Sequence, residues 1–167
     1  MQYRGLLEQN DASAEVHNNL GLLYQDRGDS DEAIKQFQRA IVIQPKYVKA
    51  HNNLGVSLMR ANRLEPAAAE FRVALGADPR NVESLVNLAL VQRASGRAVE
   101  AQDLLRRALV IDPRSDGSHY NLALIADENG DAATAIEHYR LFLRFGSVAH
   151  AELAARVRAR LAVLGPG

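Results

Sequence analysis

The chain has 167 residues, enough for one ordinary domain with a buried core, and 47% of them are apolar although only 5% are aromatic. Its 20 basic residues balance 20 acidic ones, so bulk charge favours neither nucleic acid nor an anionic membrane. The absence of cysteine excludes disulfides, thiolate metal sites and a cysteine nucleophile.

Residues 1–13 predict a short helix over 2–9 followed by a linker. Tyr3 falls 34 residues before Phe37, so this helix reads as the second half of an incomplete unit. It is expected either to cap the array or to continue into a longer protein, of which this chain would be a fragment. From residue 14 the sequence repeats with a period of 34, giving units at 14–47, 48–81, 82–115 and 116–149. Leu20, Leu54, Leu88 and Leu122 share one position, and Gly21, Gly55, Ala89 and Ala123 the next. Ala33, Ala67, Ala101 and Ala135 follow, then Ala40, Ala74 and Ala108, then Pro45, Pro79 and Pro113.

Midway through the units stand "RGD", "ANR", "SGR" and "NGD", with Gly or Asn placed to take positive φ and stop a helix. Each unit therefore predicts helix, tight turn, helix, closed by proline. The small residues let the paired helices approach. Larger ones such as Leu20, Phe37, Leu54, Phe71, Leu88, Leu105, Leu122 and Tyr139 fill the space between. In the fourth unit Phe142 and Ser147 replace the later alanine and the closing proline. Residues 150–167 then predict a capping helix and tail. Its apolar stripe runs through Val148, Ala151, Ala154, Val157, Leu161 and Leu164, with Arg156, Arg158 and Arg160 off its centre. A basic amphipathic helix on a membrane surface is the less favoured reading of the same stretch.

This spacing and chemistry resemble the tetratricopeptide repeat family over most of the chain. The resemblance implies an all-α fold, a right-handed α-solenoid of helix-turn-helix repeats, whose first helices line a concave face. The array is also similar to the repeat region of peptide O-linked N-acetylglucosamine transferases, without any catalytic domain. Where the family prefers tryptophan or another bulky residue, this chain has His17, His51, Leu85 and His119.

"HNNLG" occurs at 17–21 and again at 51–55, although asparagine is a mediocre helix former. One amide recurs in every unit: Asn19, Asn53, Asn87 and Asn121. The resemblance points these side chains into the groove. There an amide can pair with the C=O and N–H of a bound peptide together. Neighbouring helices lie roughly 8–10 Å apart, and an extended peptide advances about 3.3 Å per residue. One asparagine per unit would thus meet about every third peptide residue. Lys49, Val56, Met59, Arg60, Leu90, Arg93, Tyr120 and Leu124 are expected to border the groove. Its middle would be positive through Lys49, Arg60 and Arg93, suiting an acidic residue in the ligand. Inheritance with the repeat is the alternative for the asparagines, and packing between repeats for the aliphatic residues.

The clamp that holds a chaperone's C-terminal carboxylates is not expected. Its cationic positions here hold Asn18, Leu22, Glu83 and Asn87. The histidines at the shared position are too far apart for one metal and read as packing residues. "GDSDEA" at 28–33 reads as a turn and an N-cap rather than a calcium loop. No phosphate loop, nucleophile elbow or isolated carboxylate pair is present, so no enzymatic activity, metal or other cofactor is expected. Basic residues lack interleaved aromatics, which argues against nucleic acid. No apolar run suits a membrane span.

The expected function is a scaffold or adaptor holding an extended peptide segment of a partner protein. The alternatives are self-assembly through the ends, giving a homo-oligomer, or a substrate-selecting arm of a larger enzyme. Unlike ends support assembly, since residues 1–40 carry four basic and seven acidic side chains and residues 136–167 carry five and two. Arginine outnumbers lysine 17 to 3, which fits a GC-rich bacterial genome. The default compartment is the cytoplasm, with the periplasm open.

Overall fold

The computed structural model describes the backbone of residues 2–165 and the side chains of residues 13–165. Among the described residues there are nine α-helices and no strand. They are α1 (Gln2–Asp26), α2 (Ser30–Ile43), α3 (Val48–Arg60), α4 (Leu64–Ala77), α5 (Val82–Ala94), α6 (Ala98–Ile111), α7 (Asp116–Glu128), α8 (Ala132–Phe145) and α9 (Ala151–Leu164). A 3-10 turn, Val148–His150, precedes α9. The fold is all-α, built of helix-turn-helix repeats.

The breakers act as their chemistry requires. Gly28, Gly96 and Gly130 take φ of 80°, 78° and 77°, and Asn62 fills the same place in the second repeat at 57°. Only glycine, and asparagine at some cost, enters this left-handed region readily. Asp29 and Asp131 then cap the following helices, accepting from Glu32 N at 3.3 Å and Thr134 N at 3.2 Å. The acidic run at 28–33 thus starts α2.

Two compact units divide at Val91. In the first, α1 packs on α2, α2 on α3 and α3 on α4. The small residues there are a steric necessity. A Cβ on Gly55 would meet the Phe71 ring at 2.5 Å, and one on Gly21 would clash with Phe37. Both phenylalanines are fully buried. In the second unit α6 packs on α7, α7 on α8 and α8 on α9. Its core joins Ala123, Ala126, Ala135, Tyr139, Phe142 and Val157.

Three expectations are corrected. The helix expected over 2–9 and its linker are not separate, because Gln2–Asp26 form one helix. No glycine or proline lies between residues 6 and 20 to stop it. The packing expected of Tyr3 lies outside the described side chains. Leu20, expected to fill the interhelical core, is 37% exposed, whereas Leu54, Leu88 and Leu122 are buried. In the cap, Val148 is 93% exposed and Ala151 is exposed too. The 3-10 turn rotates Val148 away from the stripe, and Leu153 joins Ala154, Val157, Leu161 and Leu164 against the core instead.

Candidate functional site

The paired asparagines form a ladder within the first unit. Asn53 Nδ2 donates to Asn18 Oδ1 at 3.0 Å, and Asn87 Nδ2 donates to Asn52 Oδ1 at 3.1 Å. Each bond joins the recurring asparagine of one repeat to the other asparagine of the repeat before it. Ser84 Oγ adds a second bond to Asn52 Oδ1 at 3.3 Å. Asn18 and Asn52 are buried, so their acceptors need these partners. The doublet in "HNNLG" therefore has a structural use: one asparagine donates backward, and its neighbour accepts from the next repeat.

That use consumes one amide hydrogen of Asn53 and of Asn87. The second hydrogen and Oδ1 remain on side chains that are half-buried. Asn19 is exposed, and its side chain makes no such bond to another described residue. Asn121 departs from the pattern: it is buried, donates to Gly117 O at 2.8 Å, and leaves its buried Oδ1 without a partner.

Asn19, Asn53 and Lys49 come together in a depression of about 280 Å³ in the first unit. Asn18 and Asn52 lie in its wall beside Leu22 and Tyr47, and Glu15 and Glu83 complete it. Burial, with help from the Glu15 carboxylate, raises the Tyr47 hydroxyl pKa above its usual range. Two carboxylates against one ammonium make the depression acidic on balance. Val56, Met59 and Leu90 are half-buried and Arg60 is exposed, outside this depression.

In the second unit, Tyr120 and Leu124 share a pocket of about 220 Å³ with Asp127 and Tyr139 of α7 and α8 and with Arg156, Val157 and Arg160 of α9. Arg160 grips Asp127 with two bonds, 2.7 Å and 2.6 Å, and Tyr139 Oη donates to the same carboxylate at 3.2 Å. These donors, Arg160 foremost, hold the Asp127 pKa below its usual range. Burial first, and then Asp127, push the Tyr139 hydroxyl up to about 12. Arg93 pairs with Glu128, its Nε lying 3.2 Å from Oε2, and that bond lowers the Glu128 pKa.

Two of the three cations expected to make the middle positive are matched by acids, while Arg60 is exposed. Glu128 neutralises Arg93, and Lys49 sits among acids. Long side chains one repeat apart reach each other, which their register alone does not reveal.

The histidines are bridges between helices. His17 Nδ1 meets Gln36 at 2.7 Å, His51 Nδ1 meets Glu70 at 2.7 Å, and His119 Nδ1 meets His138 Nδ1 at 3.0 Å. His51 Nε2 and His119 Nε2 donate to the carbonyls of Pro45 and Pro113. Since His119 Nε2 carries its proton, Nδ1 accepts from His138. Among the described residues no cluster of three or more His, Asp or Glu is placed to hold a metal. No described helix is long and apolar enough to cross a membrane.

The side chains that sequence reasoning missed are Asn18 and Asn52 as acceptors, Tyr47, and the two arginines of α9. A signal existed for the first pair, because "HNN" occurs twice at the repeat spacing.

Comparison with curated protein sequences finds no match. Several solved structures are similar. A structure of Pseudomonas aeruginosa PilF is 26% identical with a TM-score of 0.78, over 93% of this chain and 73% of that one. A MamA structure is 19% identical with a TM-score of 0.72, over 85% and 83%. The first tetratricopeptide domain of Spaghetti (RPAP3), solved with the HSP90 peptide SRMEEVD, is 18% identical with a TM-score of 0.69, over 72% and 95%. Tetratricopeptide repeat family models match residues 2–48, 18–82, 53–116 and 104–137. The chain belongs to the tetratricopeptide repeat family.

Proposed function

We propose that this chain is a protein-interaction scaffold that holds an extended segment of a partner along the amide row of its first unit. The observation that carries this reading is the depression lined by Asn19, Asn53 and Lys49, beside which Asn53 and Asn87 each spend one amide hydrogen on the repeat before. That cross-bracing fixes the amide planes. The remaining hydrogen and Oδ1 then present a preorganised pair to a peptide backbone, at a reduced entropic cost of binding. Backbone pairing makes the site tolerant of ligand sequence. The peptide complex of the RPAP3 domain, a fold neighbour, supports the same use of such a fold.

The test is affinity for peptides selected on the full chain from a random display library. Asn19 and Lys49 are exposed and bond to no other described residue, so an Asn19→Ala, Lys49→Ala double variant perturbs the site and spares the ladder. Binding should weaken about tenfold, the sum of two modest polar contacts. Unchanged affinity, with circular dichroism showing equal folding, overturns the reading.

A second reading is self-assembly, carried by one face of α1. Val16, Leu20 and Leu23 are 53%, 37% and 55% exposed. Their counterparts one repeat on, Ala50, Leu54 and Ser57, are all buried, as are Ser118, Leu122 and Ile125 in the fourth repeat. α2 packs on α3 and α6 on α7, covering this stripe in the second and fourth repeats. Leu20→Glu would abolish any association seen by sedimentation at rising concentration, and a chain monomeric throughout removes the reading.

A further inference from the structure

The pocket of the second unit has a chemistry of its own. Its single carboxylate, Asp127, already accepts two bonds from Arg160 and one from Tyr139. A cation entering here would find that acceptor saturated. Arg156, one turn before Arg160 on α9, lines the same pocket and makes no hydrogen bond or ion pair with any described residue. The Tyr120 hydroxyl is likewise unbonded among the described residues, although its ring packs against those of Tyr139 and Phe142 at 6.4 Å and 5.2 Å. Leu124 and Val157 supply apolar wall between them. Two guanidinium groups stand against one carboxylate, which leaves the pocket one charge positive.

We propose that this pocket binds an acidic side chain of a partner peptide, with the Arg156 guanidinium and the Tyr120 hydroxyl as the carboxylate's donors and a neighbouring apolar residue of the peptide on Leu124 and Val157. This inference rests on the scaffold reading and names the residue type selected at the second unit. A planar guanidinium matches a carboxylate in two parallel bonds, and such charge-assisted bonds are the strong ones. Arg160 has a different part: it occupies Asp127, which keeps that acid from repelling the ligand and fixes α9 so that Arg156 faces the pocket.

The experiment selects peptides from a random display library on the full chain. It then measures the affinity of an enriched peptide and of its Glu→Gln or Asp→Asn version for the native chain and for Arg156→Ala. The enriched peptides should carry an acid beside an apolar residue. Arg156→Ala should weaken the acidic peptide about tenfold, and should change the affinity of the amide version little. Arg156 is exposed, so the variant keeps its fold, which circular dichroism checks. Enriched peptides without an acid, or an unchanged affinity in Arg156→Ala, overturn this inference while the scaffold reading stands. If no peptide is enriched, both fall.

Discussion

Repeats in the first unit are tied by neutral groups: Asn53 to Asn18, Asn87 to Asn52, and Gln25 Nε2 to Ser57 Oγ at 3.2 Å. In the second unit the ties are charged, Arg93 to Glu128 and Arg160 to Asp127. Gln25, Arg93 and Asp127 share one repeat position, so the same place in the same fold carries an amide in one unit and an ion pair in the other. The cores differ in parallel. Gly21 and Gly55 face phenylalanine rings, while Ala123 packs in one cluster with Tyr139. A repeat thus fixes where a cross-link falls and leaves its chemistry free. Neutral ties resist salt and acid; exposed ion pairs add little stability and answer to both.

The largest test of this contrast lies in the core. Phe71→Ala should cost about 3–5 kcal/mol in denaturant unfolding, because a fully buried ring is lost. Gly55→Ala should cost about 1–3 kcal/mol, since its methyl enters the Phe71 ring. Ala123→Gly, the reverse change in the other unit, should cost only about 1 kcal/mol through the helix backbone. Asn52→Ala removes the acceptor of both Asn87 and Ser84 and should cost about 1–2 kcal/mol, independent of salt. A strong salt dependence there would break the comparison.

Acid should act on the second unit. Burial foremost, together with His119, lowers the His138 pKa below the ordinary value of 6.5. The folded chain then resists a proton that the unfolded chain accepts, so stability is complete above pH 6.5 and falls as pH drops through it. Glu128 and Asp127 have depressed pKa values, so their contribution is present above the ordinary 4.5 and 3.8 and lost as pH falls further. Hydrogen exchange in α7 and α8 should accelerate in those two stages, and protection that stays flat as pH falls through 4.5 and 3.8 would remove the charged ties from the account. The smallest effect belongs to Arg160→Ala. It should raise exchange in α9 at low salt, and the difference from the native chain should shrink as salt is added.

Much of the architecture was legible because it depends on local chemistry repeated at a fixed interval. Gly28, Asn62, Gly96 and Gly130 announced the turns, and Ala33, Ala67, Ala101 and Ala135 the close helix contacts. What escaped depends on groups distant in sequence or on how far a side chain is covered. Leu20 matches Leu54 as a letter, but no described side chain covers it as α2 covers α3. Arg93 reads as a free cation until Glu128 is placed beside it, 35 residues on. Arg156 entered the candidate pocket only when the fold laid α9 against α7 and α8. The recurring asparagine row shows in the sequence, whereas its inward half, Asn18 and Asn52, gives a weaker signal because Val86 and Tyr120 take its place in the later repeats.

The most direct measurement is an NMR titration of the isotope-labelled full chain with a display-selected peptide, following the side-chain amide resonances of asparagine. The account predicts that Asn19, Asn53 and Asn87 shift together and saturate at one affinity, with Asn121 unaffected because it is buried. Shifts confined to the α1 face at Val16, Leu20 and Leu23, with the asparagine amides unmoved, would contradict it.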